Sequence, residues 1–172
     1  MKNAKVFYIS NGNLYSSPKD GTYRVLIEKD VKNCALIKNN RIYFIVDSIS
    51  GGNLASYSYK SYEKEIYSEY KIKGLYLWSS GTGAGELKEP IPDNFYPYYN
   101  YVNLESGYVS KTYVPKEKDV LLSEGKLSEI ETSETITTDG WSITKNKNKL
   151  IFSNGNTTNR ISGKKLFLIG SV

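Results

Sequence analysis

The chain has 172 residues, of which 39% are apolar and 24% charged, and a formal net charge of +5. This length suits one domain or two small ones with a sizeable core, and the composition is ordinary for a soluble globular protein. Histidine is absent and Cys34 is the only cysteine, which excludes Ser-His-Asp and Cys-His catalysis, His-based or Cys-rich metal sites and an intrachain disulfide.

The N-terminal thirty residues predict a three-stranded meander. Residues 5–10 are rich in β-branched and aromatic side chains, and Asn11-Gly12 separates them from a second short strand at residues 14–16. Asp20-Gly21 predicts another turn before a strand at residues 22–27. An Asn-Gly or Asp-Gly pair between such runs is a strong hairpin signal. With 16 tyrosines and few strong helix formers, the chain is expected to be strand-rich throughout.

Similar sequence motifs recur along the chain. They begin at residues 5, 41, 74, 107 and 149, so the offsets are 36, 33, 33 and 42 residues. A unit of short strands recurring every 30 to 45 residues is typical of propellers or stacked hairpins. We therefore predict an all-β fold of repeated antiparallel hairpins and meanders that resembles a partial or small propeller, with a β-sandwich as the alternative.

The sequences of the segments between these motifs are less uniform. Residues 34–37 predict a short apolar strand that buries Cys34. Residues 59–70 are compatible with a helix or a strand pair, and residues 135–138 predict a strand that turns at Asp139-Gly140. We predict one domain over residues 1–172, less regular at 79–135, that is either complete or a fragment of a longer repeat protein.

Candidate sites for chemistry are weak. Residues 81–85 form a glycine-rich run, but Pro90 leaves no room for the helix that a phosphate loop needs. Paired carboxylates serve glycosidases, and acidic side chains cluster in two places: Glu86, Glu89 and Asp93, and Glu63, Glu65 and Glu69. No spacing fixes two of them across a sugar ring. We predict no enzyme activity, no catalytic residues, no metal and no cofactor.

The better candidate site is an aromatic loop. Aromatic faces with polar tips recognise sugars and peptides, although rings in such a segment also serve to cover a core. The candidate ligand-binding residues are Trp78, Tyr96, Tyr98, Tyr99 and Tyr101. The basic stretch at residues 145–149 is interpreted as a solvated hairpin tip, and the lysines are otherwise scattered, so nucleic acid is not an expected partner.

Two stretches resemble a known family. An apolar and aromatic strand is combined with a Gly-Asn-Leu motif in residues 6–27 and, less well, in residues 42–59. This pattern resembles the propeller repeats of the TolB-like and low-density-lipoprotein-receptor type, in versions found in uncharacterised, clostridia-like bacterial surface proteins. The resemblance implies a binding or scaffolding role, often outside the cell, and carries over no catalytic residues.

These observations favour a non-catalytic domain that binds a glycan, a peptide or a protein partner. The alternatives are a structural module that self-associates and a carboxylate-dependent glycoside hydrolase. No apolar run is long enough to span a bilayer. An extracellular or cell-surface location is expected if the chain belongs to a longer secreted protein, and a cytoplasmic one otherwise.

Overall fold

The fold is built from β-strands joined by short turns. The computed structural model describes residues 5–38, 40–46, 52–72, 74–80, 95–103, 109–115, 120–121, 125–129 and 132–172, and between residues 67 and 129 it describes the backbone. These residues contain no helix, and so none that is long and apolar enough to cross a membrane. The predicted all-β fold class is confirmed.

The chain divides into two compact units. The first comprises residues 1–39 and 131–172, and the second residues 40–130. The strands of the first unit are β1 (Lys5–Ser10), β2 (Asn13–Pro18), β3 (Val25–Glu28), β4 (Val31–Lys38), β13 (Thr135–Thr138), β14 (Trp141–Asn146), β15 (Lys149–Ser153), β16 (Thr158–Ser162) and β17 (Phe167–Ser171).

A four-stranded sheet in the first unit joins the two ends of the described chain. Its strand order is β17-β1-β2-β3, and every neighbouring pair is antiparallel. Beyond the ladder, Lys5 and Val172 exchange two backbone hydrogen bonds of 3.0 Å. The C-terminal strand thus completes a meander that the N-terminal strands begin, giving the four-stranded antiparallel form of a propeller blade.

A second four-stranded sheet lies in the same unit, with the order β13-β14-β15-β16. Side chains from both sheets form one buried apolar cluster, because alternate positions of β1, β14, β15 and β17 point inward together. Its buried members are Val6, Tyr8, Ile143, Leu150, Phe152, Leu166 and Leu168. This cluster is one part of the buried core of the first unit, which also includes Phe7, Ile9 and Leu14.

The second unit contains two sets of paired strands. Its strands are β5 (Arg41–Val46), β6 (Gly52–Ser58), β7 (Lys64–Ile72), β8 (Gly74–Ser80), β9 (Phe95–Asn103), β10 (Val109–Pro115), β11 (Val120–Leu121) and β12 (Gly125–Glu129). Strands β5, β6 and β7 form an antiparallel meander. The other sheet has the order β10-β9-β8-β12-β11, in which β8 and β9 are parallel, so it departs from a simple meander.

Several turn predictions are confirmed. Asn11 and Gly12 have φ values of 50° and 78°, and Asp139 and Gly140 have 45° and 78°. Positive φ at both central residues is the type I′ geometry that suits a two-residue hairpin. Residues 64–72 form a strand, which decides between the helix and strand interpretations of that segment in favour of the strand.

The predicted strand at residues 22–27 begins later, at Val25. The carboxylate oxygen Oδ1 of Asp20 accepts hydrogen bonds from the backbone nitrogen of Thr22 at 3.1 Å and from its hydroxyl at 2.8 Å. Such an Asx turn occupies donors that a ladder would need. The turn itself closes one residue earlier than predicted, through a 3.0 Å bond from Gly21 N to Pro18 O.

One further expectation needs correction, and one repeated motif turns differently from its N-terminal counterpart. Cys34 is half-buried, because β4 buries Val31 and Ala35, and successive strand positions face opposite sides. The Asn154-Gly155 pair does not form a two-residue turn like that of Asn11-Gly12, because the residues that pair on either side are Ser153 and Thr158. The Asn154 side chain accepts hydrogen bonds from the backbone nitrogens of residues 156 and 157 at 2.9 and 2.7 Å.

Candidate binding surface

Strand β3 lies at one edge of its sheet and carries an exposed apolar patch. Tyr23 is 63% exposed, Val25 51% and Leu26 43%. The next residue, Ile27, is buried, so β3 is anchored by one side chain while its neighbours remain at the surface. Tyr23 lies two positions before β3, and Val25 and Leu26 are successive strand positions that face opposite sides of the sheet, so the exposed apolar groups surround this sheet edge. Large apolar groups concentrated in this way differ from the scattered surface residues of an ordinary domain.

An ordered stack adjoins this patch. Tyr8 and Tyr15 are directly opposite in the β1–β2 ladder, and their ring centroids lie 5.5 Å apart with an interplanar angle of 28°. The guanidinium carbon of Arg24 lies 4.3 Å from the centroid of the Tyr15 ring. A cation at this distance over an aromatic face is attracted by the ring quadrupole. Arg24 is therefore held beside the patch while it remains exposed.

The base of this stack contains a buried hydroxyl. Tyr8 is 0% exposed, and its Oη atom has no hydrogen-bond partner among the described residues. Burial raises the pKa of the Tyr8 phenol, and the nearby Arg24 guanidinium opposes that rise to a smaller extent. The phenol is thus kept neutral in the folded protein.

Replacing Tyr8 by Phe removes this unpaired hydroxyl, and we expect the free energy of unfolding at pH 7 to rise by roughly 1 kcal/mol. The ordinary pKa of a tyrosine is 10.0 and that of Tyr8 is higher, so above pH 10 the unfolded phenol ionises first and wild-type stability falls until the pH passes the folded pKa. Tyr8→Phe lacks the part of this loss that comes from Tyr8. Urea unfolding at pH 7 and about pH 11 measures both effects.

The control for that experiment is Tyr23→Phe, which alters an exposed phenol. It is expected to change neither the free energy of unfolding at pH 7 nor the loss of stability at high pH. A Tyr8→Phe variant that is clearly less stable than wild type at pH 7 would show that the hydroxyl makes a stabilising hydrogen bond.

The aromatic residues predicted to bind ligand lie on strands, not in a loop. Trp78 belongs to β8, and the four tyrosines belong to β9. Gly74 is in register with Tyr101 in the parallel β8–β9 pair. Trp78 lies four positions further along β8, opposite Leu127 of β12. At about 3.3 Å per residue, Trp78 is displaced from the register position of Tyr101 by roughly 13 Å along the strands.

The β9 tyrosines fall into two sets, because alternate positions of a strand belong to opposite faces of the sheet. Tyr98 pairs with Tyr113, Tyr99 with Thr112 and Tyr101 with Ser110. Successive positions of a strand belong to opposite faces of the sheet, so Tyr99 and Tyr101 share one face and Tyr98 occupies the other. Ligand binding by this set of residues at one site remains a prediction.

Of the acidic clusters, Glu86, Glu89 and Asp93 lie outside the described residues. Glu63 and Glu65 are exposed, and a carboxylate oxygen of Glu65 lies 3.8 Å from a guanidinium nitrogen of Arg41. The described residues contain no group of three or more acidic or cysteine side chains arranged to hold a metal ion.

Comparisons with known proteins give distant structural likenesses. No family model matches the chain, and no curated protein matches it. Among solved structures, the tricorn protease is 12% identical with a TM-score of 0.41, over 94% of this chain and 18% of that one. TolB from Acinetobacter baumannii is 7% identical with a TM-score of 0.43, over 98% of this chain and 67% of that one. Both are β-propeller proteins, but at these scores the fold class rests on the strand pairing described above.

Proposed function

We propose that the protein is a non-catalytic binding domain that recognises a peptide or protein partner through the exposed patch on β3. The observation that carries this proposal is that Tyr23, Val25 and Leu26, all at least 43% exposed, surround one sheet edge, where Arg24 holds a guanidinium over an aromatic ring. Tyrosine and arginine are enriched among the residues that dominate protein interfaces.

The patch has a definite chemical preference. Its apolar side chains suit one apolar anchor, and Arg24 makes no ion pair among the described residues, so it is available to a carboxylate. A guanidinium binds carboxylates with directional hydrogen bonds. The expected ligand is a peptide segment that places an apolar side chain next to Asp or Glu.

Selection from a displayed peptide library, with wild-type protein as target, tests this proposal. We expect enrichment of peptides that combine an apolar and an acidic residue. Binding of a selected peptide to Tyr23→Ala/Leu26→Ala should weaken by roughly tenfold or more, because anchor residues at an interface contribute well over 1 kcal/mol each. Isothermal titration calorimetry measures the change.

The chain offers a matched control in Tyr62 and Ile66, which are 63% and 57% exposed and belong to the other unit. Asparagine tolerates the φ of 63° at Tyr62, so the control variant is Tyr62→Asn/Ile66→Ala, and its affinity should stay within about twofold of wild type. Equal losses in both double variants would contradict the assignment to β3.

Glycan binding and self-association are outcomes of the same study. A glycan array on which binding is lost in Tyr98→Ala or Tyr99→Ala but kept in Tyr23→Ala/Leu26→Ala would place recognition on β9 instead. Light scattering that shows a dimer dissociated by Tyr23→Ala/Leu26→Ala would identify the patch as a self-association surface. Either result would overturn the proposal of a peptide or protein partner.

A further inference from the structure

Three turns meet at one end of the first unit. They are the β1–β2 turn at Asn11-Gly12, the β14–β15 turn at Lys147-Asn148 and the connection from β16 to β17 at residues 163–165. Gly163 N donates to Asn148 O at 2.8 Å, and Asn11 N donates to Lys164 O at 2.8 Å. The hydroxyl of Ser10 adds a 3.3 Å bond to the same carbonyl. These bonds fix the three turns against one another.

This arrangement gathers lysines that the sequence keeps apart. Lys147 and Lys149 come from one turn and Lys164 and Lys165 from another, and all four are exposed. We call these four residues the lysine cluster. None of the four forms an ion pair with a carboxylate in the part of the chain that the structure describes, so the charges of the cluster are not neutralised there. The sequence-based expectation of scattered lysines therefore does not hold at this end of the unit.

In the part of the chain that the structure describes, two acidic residues lie next to residues that contact or border these turns. Glu134 neighbours Lys145, whose backbone nitrogen donates to the Glu134 carbonyl at 2.8 Å. Asp30 precedes Val31, whose nitrogen donates to Gly12 O at 2.9 Å. Neither carboxylate forms an ion pair with the lysine cluster among the described residues. The end of the unit is therefore a positively charged surface, and such a surface attracts polyanions over a distance of about 8–10 Å at ordinary salt.

We propose that the lysine cluster binds an anionic polysaccharide, a chain that carries repeated sulfate or carboxylate groups. The cluster supplies separate point charges, and the side chains between them are amides and hydroxyls, namely Asn11, Asn146, Asn148 and Ser162. Lysine ammonium groups suit repeated, hydrated anions, and amides or hydroxyls hydrogen-bond sugar hydroxyls. Basic stretches of this kind are also those that bind heparin-like chains.

Other polyanions fit this surface less well. The three turns contain no arginine and no aromatic residue, so bidentate phosphate recognition and the stacking that holds single-stranded nucleic acid are both missing. They also lack the apolar centre of a protein interface. This surface is distinct from the patch on β3, and the proposal does not depend on the function proposed there.

Heparin, used as the sulfated probe, tests the proposal by calorimetry or biosensor titration at about 0.1 M salt. The variant Lys147→Gln/Lys149→Gln/Lys164→Gln/Lys165→Gln should bind at least roughly tenfold more weakly and elute from immobilised heparin at lower salt, because each lost charge removes a counterion-releasing contact. The corresponding lysine-to-arginine variant should retain binding. Thermal unfolding verifies that both variants are folded. If the fourfold glutamine variant is not folded, Lys147→Gln/Lys164→Gln, which changes one lysine in each turn, replaces it.

The matched control removes the same number of charges elsewhere, in Lys19→Gln/Lys38→Gln/Lys60→Gln/Lys64→Gln, and should leave heparin affinity within about twofold. Equal weakening in both variants would show attraction by net charge alone and would overturn the proposal. So would tighter binding to single-stranded polythymidine than to heparin at the same salt, or heparin binding that the glutamine variant leaves intact. Neutral dextran should not bind.

Discussion

Phe152→Ala is expected to lower the free energy of unfolding by about 3–5 kcal/mol. Phe152 is 0% exposed and belongs to the cluster that joins both sheets of the first unit. Removing its ring from between Ile143 of β14 and the turn at Gly21 leaves a cavity that two hydrogen-bonded ladders cannot easily close. Urea unfolding followed by tryptophan fluorescence measures the loss, and Trp141 packs against the same cluster.

Two variants bracket this result. Phe152→Leu keeps most of the apolar volume and is expected to lose roughly 1–2 kcal/mol, whereas Leu26→Ala removes a side chain that is 43% exposed and should lose about 0.5 kcal/mol or less. If Phe152→Ala lost no more than Leu26→Ala, the two sheets would not share a core at this residue.

Local structure was largely predictable from the sequence. Asn11-Gly12 and Asp139-Gly140 form the predicted turns because the required positive φ values are ones that Asn, Asp and Gly adopt most readily. The motif starts predicted at residues 5, 41, 74 and 149 coincide with β1, β5, β8 and β15, and the start at residue 107 lies outside the described residues. In each case the information lies within a few residues of the chain.

Strand partners were not predictable in this way. Val6 pairs with Ser171 across nearly the whole chain, and Leu75 of β8 pairs in parallel with Val102. Pairing over such separations is decided by which apolar faces fit together, and a local pattern does not contain that information. The repeated motif at residue 149 illustrates the limit, because β15 pairs with its sequence neighbours β14 and β16, whereas β1 pairs with β2 and with the distant β17.

The candidate surfaces were missed for a related reason. The sequence at residues 23–26 matches a half-buried strand, but the turn at Asp20 delays the start of β3 until Val25. Because β3 also lies at a sheet edge, Tyr23 and Leu26 are exposed. The lysine cluster joins residues from two turns through backbone hydrogen bonds. Composition revealed the positive charge, but its concentration at one end depends on how the turns meet.

The second large effect concerns Gly21, which connects a turn to the core. Its φ is +68°, and a Cβ atom at this position would collide with the Phe152 ring. Lys19 and Asp20 hold the turn in place through a 3.6 Å ion pair to Asp139 and a 2.8 Å bond from the Asn159 amide to Asp20 O. Gly21→Ala is therefore expected to lower the free energy of unfolding by about 2–4 kcal/mol, combining backbone strain with overpacking.

Gly140→Ala is the matched control, since Gly140 has a φ of +78° but a Cβ atom added to it would meet no described atom within 4 Å. It should lose only the strain contribution, about 1–2 kcal/mol. The difference between the two glycine variants then isolates the collision with Phe152, and thermal or urea unfolding of both gives it directly.

A double-mutant cycle decides whether that collision is the cause. In a Phe152→Ala background the ring is gone, so Gly21→Ala should lose no more than Gly140→Ala does, and the coupling free energy should be about 1–3 kcal/mol. Additive losses would mean that Gly21 acts through its backbone alone. The turn would then be attached to the second sheet by the Lys19 and Asp20 contacts, and close packing on the Phe152 ring would contribute nothing to its position.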